Sequence, residues 1–160
     1  MDQETNMNVK LVILLIISIS CLFGKDQVYS INQSKYTGEE YTCFLEYMVR
    51  KGYNNNKPFK PSNDNLQTMI ITFQDEMDVL NVDGTNGSST LKYQKFIDLP
   101  YDSMGMKKGT LGITYYGRKS GKDWLYYDIF ENGKMLIWLN NQILDGFFCP
   151  NLKLDIKRVK

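Results

Sequence analysis

The chain has 160 residues and no histidine. That absence removes imidazole bases, His-assisted nucleophiles and His metal ligands together. Cysteine is scarce, with three in all. Charge of either sign is in no surplus: 19 Lys plus Arg stand against 18 Asp plus Glu. A nucleic-acid partner is therefore not expected, because a polyanion needs a basic excess to hold it. A phosphate loop is missing too. The stretch GRKSGKD, Gly117 to Asp123, has too few residues between its glycines and carries Asp123 where Ser or Thr should follow Lys122. Carboxylates alone can hydrolyse glycosides, yet Asp75, Glu76, Asp78, Asp98, Asp102 and Asp123 show no recognisable pairing. The inventory predicts no catalytic residue, no metal ligand and no cofactor.

What is present begins with an apolar run from Leu11 to Phe23, bracketed by Lys10 and Lys25. It has about the length of a signal-peptide core and falls short of the roughly 20 residues of a membrane-spanning helix. Residues 1–24 read as a signal peptide, with Met7 as an alternative start because MNVKLVILL has the usual form. Ser18 and Ser20 suit a cut before Cys21, and Gly24 suits one before Lys25. Lipidation at Cys21 or an uncleaved leader are the two routes to a membrane. The expected location is secreted, periplasmic or cell-surface.

Past the leader two cysteines remain, Cys43 and Cys149, and an even pair in an exported chain predicts a disulfide. A closed loop of about 107 residues implies roughly 4 to 5 kcal/mol of stabilisation on chain-entropy grounds. Asn32-Gln33-Ser34 and Asn86-Gly87-Ser88 are glycosylation sequons, meaningful in a eukaryotic secretory pathway.

A polar segment, residues 25–36, leads into a single β-rich domain over 37–160. At its start Thr37 and Glu40 have capping-box spacing, and Tyr41, Phe44, Leu45 and Met48 recur at helical intervals. Arg50, Lys51 and Gly52 follow as a C-terminal signature, so the signals favour a helix ending near Lys51. A strand competes, because Tyr41, Cys43, Leu45, Tyr47 and Val49 alternate and would place Cys43 on a buried face. Everything after the proline-bearing loop NNNKPFKPSNDN reads as β. LQTMIITFQ and MDVLNV form a hairpin across Asp75 and Glu76; STLKYQKFIDL, GTLGITYYG and LKLDIKRV alternate, the first interrupted at Lys95.

The stretch DWLYYDIFENGKMLIWLNNQ, Asp123 to Gln142, centres on Asn132-Gly133, a strong signal for a two-residue type I′ hairpin. That loop predicts Glu131 opposite Lys134, Ile129 opposite Leu136, Tyr127 opposite Trp138 and Leu125 opposite Asn140 on one face. Phe130 then meets Met135, Asp128 meets Ile137 and Tyr126 meets Leu139 on the other. The face with Leu125, Tyr127 and Ile129 is the core candidate. The opposite face sets Asp128 among Trp124, Tyr126 and Phe130, where a carboxylate is either a hydrogen-bonded structural group or a ligand contact.

The fold class expected is mainly β (α+β): one N-terminal helix packed on a seven- or eight-stranded antiparallel meander, closed into a barrel or strongly curved. In general plan this resembles the lipocalins and related small barrels. The Gly-x-Trp motif of a lipocalin first strand is absent, since Gly38 is followed by Glu39, Glu40 and Tyr41, so no residue role is carried over. The functional expectation is a non-enzymatic binding protein taking an apolar or carbohydrate ligand in an aromatic-lined cavity beside Trp124, Tyr126, Asp128 and Phe130. The alternative is an inhibitor or immunity-type module that grips a protein partner through turns such as Arg118, Lys119 and Lys122.

Overall fold

A computed structural model describes residues 27–62, 67–85, 87–120 and 123–159. The leader, including Met7 and Cys21, the sequon residue Asn86 and Lys122 lie outside the described residues. The chain divides into a barrel unit, residues 30–157, and a second unit whose described residues are 27–29 and 158–159. The described part of that second unit contributes to a two-stranded sheet of β1 (Val28–Ser30) and β10 (Lys157–Val159).

Eight antiparallel strands make the barrel: β2 (Glu40–Met48), β3 (Thr68–Gln74), β4 (Val79–Gly84), β5 (Gly87–Asp98), β6 (Leu111–Ser120), β7 (Asp123–Phe130), β8 (Lys134–Leu139) and β9 (Gln142–Phe148). Each pairs with its neighbour in sequence, and β9 returns to β2 to close the ring. Inward side chains pack much of it, with Ile71, Phe73, Leu80, Leu91, Ile113, Tyr115, Ile129 and Met135 almost wholly buried. Closure leaves no unpaired strand edge within the ring.

The seam between first and last barrel strands carries the disulfide. Phe44 pairs with Phe148 and Leu45 with Phe147. One residue further along each chain, Cys43 joins Cys149, with their Cα atoms 4.1 Å apart and both side chains fully buried.

The N-terminal helix expected from Thr37 onward is instead strand β2. Gly38 has φ +84°, a left-handed conformation no helix start can use, and Thr37 Oγ1 donates backward to the Gln33 carbonyl at 3.0 Å. Alternation wins over helical spacing because β3 and β9 supply ladders on both sides: Cys43 and Leu45 turn inward while Phe44 is 46% exposed. LKLDIKRV is the second correction. Leu152, Leu154 and Ile156 are buried as their alternation implies, but most of the segment joins no sheet, and only Lys157–Val159 forms a strand. It runs against the barrel end formed by the β7–β8 turn. Leu154 N–H donates to the Glu131 carbonyl at 3.1 Å, and Asp155 N–H donates to the hydroxyl of buried Tyr36 at 2.8 Å.

The β7–β8 register is the third. Leu125 pairs with Leu139, Tyr127 with Ile137, Asp128 with Leu136 and Ile129 with Met135. This is one residue out of step with the expected pairing. Asn132 lacks the positive φ that a type I′ turn requires, while Gly133 has φ +82° and its N–H donates to the Phe130 carbonyl at 2.9 Å. The loop therefore spans three residues, Glu131 to Gly133, with the glycine in the left-handed position. Its shape is set from outside the hairpin: Cys149 N–H donates to the Gly133 carbonyl at 2.9 Å, so the C-terminal segment lies across the turn. A one-residue slip turns every β8 side chain over. Met135 and Ile137 face the interior, and Leu136 and Trp138 join Asp128 outside.

Candidate functional site

Two concave regions follow from this geometry, one inside the barrel and one on its wall. The end opposite the C-terminal segment, where Thr68, Gly84, Gly87 and Arg118 lie, opens into a cavity of about 600 Å³. Its lining is mixed: Val82, Leu91, Leu125, Ile137 and Phe147 supply apolar surface, Tyr127 and Asp145 lie among them, and Thr68, Ser89, Thr90 and Arg118 add polar groups. Eight strands enclose just enough space for side chains or one small ligand, and here part of that space is empty of side chains. Gly84 borders the opening; a Cβ added there would meet only ordinary contacts, with Met69 Cβ at 3.8 Å and the Gly87 carbonyl at 3.9 Å. Asp145 is held by Arg50 at 2.9 Å, and Arg50 also donates to the Leu144 carbonyl at 3.1 Å. Burial, together with the nearby Asp145 charge, pushes the Tyr127 hydroxyl up to about 12. It is therefore a neutral hydrogen-bonding group at physiological pH.

The residues singled out from sequence sit elsewhere. Trp124, Tyr126, Asp128 and Phe130 point outward, so they do not line the interior cavity. Phe130 is buried nonetheless, because the β5–β6 connection folds over the outer wall and packs Leu99 and Met106 onto Phe130 and Leu136. Lys134 Nζ holds this strap by donating to the Met104 carbonyl at 3.1 Å. Trp124, Tyr126 and Asp128 remain half-buried beside it.

Asp128 lies in the floor of that wall. Thr114 Oγ1, itself buried, donates to Asp128 Oδ1 at 2.6 Å across the β6–β7 pair. Burial raises the Asp128 carboxyl above the usual range, opposed by the Thr114 hydroxyl, the Trp138 indole and the charge of Lys95. The indole N–H stabilises the carboxylate from nearby yet falls outside hydrogen-bond geometry. Trp138 Nε1 is, among the described residues, the buried side-chain nitrogen left without a partner. Toward the barrel mouth the Tyr116 and Trp124 rings lie 5.7 Å apart, and the Arg118 guanidinium sits 4.9 Å from the Trp124 ring centre.

The basic turn is thus divided. Arg118 stacks on Trp124 and borders the cavity, Lys119 belongs to β6, and Lys122 is outside the described residues. Sequence reasoning missed Thr114 and Trp138, the first for want of a reason to pair it with Asp128, the second because the assumed register put it inside. Among the described residues no three cysteine or carboxylate side chains converge as metal ligands would. Comparison with protein-family models, with curated proteins and with solved structures yields no match.

Proposed function

We propose that this is an exported, non-enzymatic binding protein whose barrel cavity takes one small molecule with an apolar body and a polar group. The observation that carries the reading is the cavity of about 600 Å³, in which Leu125, Ile137 and Phe147 stand beside the polar groups of Tyr127, Asp145 and Arg118. Its size and lining are those of small-ligand sites, and a closed barrel supplies it largely pre-formed. The Tyr127 hydroxyl, Arg118 and the Asp145–Arg50 pair would orient a hydrogen-bonding group on the ligand. Two supports come from composition: histidine is absent, and Cys43 and Cys149 are joined to each other, so neither serves as a nucleophile. Such a disulfide is typical of oxidising compartments, in keeping with the apolar leader.

Filling the mouth tests the reading. Gly84 alternates with inward Leu80 and Val82, and a Cβ there finds room, so Gly84→Phe should place a ring in the opening without a steric penalty at the backbone. Wild-type protein should take up anilinonaphthalene sulfonate saturably at one site, with displacement by apolar molecules. Gly84→Phe should melt at the same temperature and lose that site. Equal uptake by both proteins, or none by wild type, would overturn it.

A further inference from the structure

The outer wall carries a second concavity, separate from the barrel interior. Three shallow depressions of about 370, 330 and 230 Å³ run along it. The first two share Gln94 and Tyr126, and the last two share Ile97, Asp128 and Trp138, so together they form one groove. Its open floor follows β7 from Trp124 to Asp128, roughly 13 Å at the rise of an extended strand, and ends where the strap covers Phe130.

Along that line ring faces and hydrogen-bonding groups alternate. Tyr116 and Trp124 come first, then Tyr126, then the Thr114–Asp128 pair with the Trp138 indole N–H, and last Tyr101 where the strap borders the wall. Gln94 and Asn141 contribute side-chain amides. The buried indole N–H lies beside the Asp128 carboxylate and helps to hold its charge, and that carboxylate can accept a further hydrogen bond. A hydroxyl in the groove would donate to the half-buried Asp128 carboxylate, which the Thr114 hydroxyl and the Trp138 indole already stabilise.

We infer that this groove binds a neutral oligosaccharide chain, with sugar faces on the tyrosine and tryptophan rings and one ring hydroxyl donating to Asp128. The alternation of apolar faces with donors and acceptors matches a pyranose, which presents C–H faces and a hydroxyl perimeter. A bare alkyl chain would leave the polar floor unpaired. An extended peptide would bind most readily by adding to a strand edge, and the closed ring of strands offers none. With Lys95 and Asp128 both on the groove, neither a strongly acidic nor a strongly basic polymer is favoured.

The test uses soluble cello-, chito-, malto- and xylo-oligosaccharides of increasing length, followed by tryptophan emission and calorimetry. At least one series should shift the emission, with affinity rising as the chain lengthens to fill the groove. Tyr116→Ala and Tyr126→Ala each remove one ring face from the half-buried wall. Each should weaken binding about tenfold or more while the melting temperature stays close to wild type. Gly84→Phe, which blocks the barrel interior, should bind the oligosaccharide as wild type does, so the two sites succeed or fail separately. The inference is overturned if no series perturbs the tryptophans, if Tyr126→Ala binds as tightly as wild type, or if the groove takes extended peptides and no sugar.

Discussion

Thr114 and Asp128 face each other across the β6–β7 pair on the outside of the barrel, and the 2.6 Å bond from hydroxyl to carboxylate is the shortest polar contact of the groove floor. A charged acceptor explains the short distance. Burial still dominates and holds the carboxyl above its ordinary range. The folded state therefore binds this proton more tightly than the unfolded chain. Asp128 favours the fold at pH values below the ordinary aspartate range, and that contribution is lost as pH rises through the raised folded value. Asp128→Asn keeps an acceptor for Thr114 and cannot ionise. The melting temperature of the variant minus that of wild type should grow from acid toward neutral pH, as calorimetric scans across that range would show. A difference independent of pH would mean that Asp128 is not held above its ordinary range.

The disulfide joins the two strands that complete the ring, so its loss acts on barrel closure itself. Replacing both Cys43 and Cys149 with serine should cost about 4 to 5 kcal/mol, as expected for so long a loop. Urea unfolding of the variant and of reduced wild type should agree. Native protein should resist thiol alkylation until unfolded or reduced, because both sulfurs are fully buried.

Gly133 and Gly38 share a positive φ, +82° and +84°, in different surroundings. A Cβ on Gly133 would collide with the backbone carbonyls of Cys149 and Leu152, the latter at 2.6 Å, whereas nothing lies within 4 Å of one on Gly38. Gly38→Ala should cost about 1 kcal/mol from backbone strain alone. Gly133→Ala should cost at least about 3 kcal/mol, since the C-terminal segment must lift from the turn. Chemical denaturation of the two variants side by side measures the difference.

Tyr127, raised to about 12, makes the barrel sensitive to alkali. The neutral phenol is favoured by the fold, so its contribution is present below the ordinary tyrosine range and is lost as pH climbs from about 10 toward 12. Phenolate absorbance should show Tyr127 ionising after the exposed tyrosines. Tyr127→Phe should unfold at a higher pH than wild type.

Much of the barrel is written in strand periodicity. The alternation of Leu111, Ile113 and Tyr115, and that of Leu125, Tyr127 and Ile129, each name the inward face, because a half-buried strand admits only a period of two. The two cysteines past the leader likewise name their own partner. Where the chain carried two periodicities at once, as at Glu40–Met48, local signals could not decide, and the ladders from β3 and β9 did. The hairpin shows the same limit at finer scale. Asn140-Asn141, with φ 47° and 69°, forms the two-residue turn that Asn132-Gly133 seemed to promise. At Gly133 the passing C-terminal segment selects a three-residue loop instead, and the slip carries Trp138 from the barrel interior to the wall. The aromatic residues and their strands were thus determined locally. Which of them gather around Asp128 depends on register, and register here depends on a contact between segments that lie far apart in the chain.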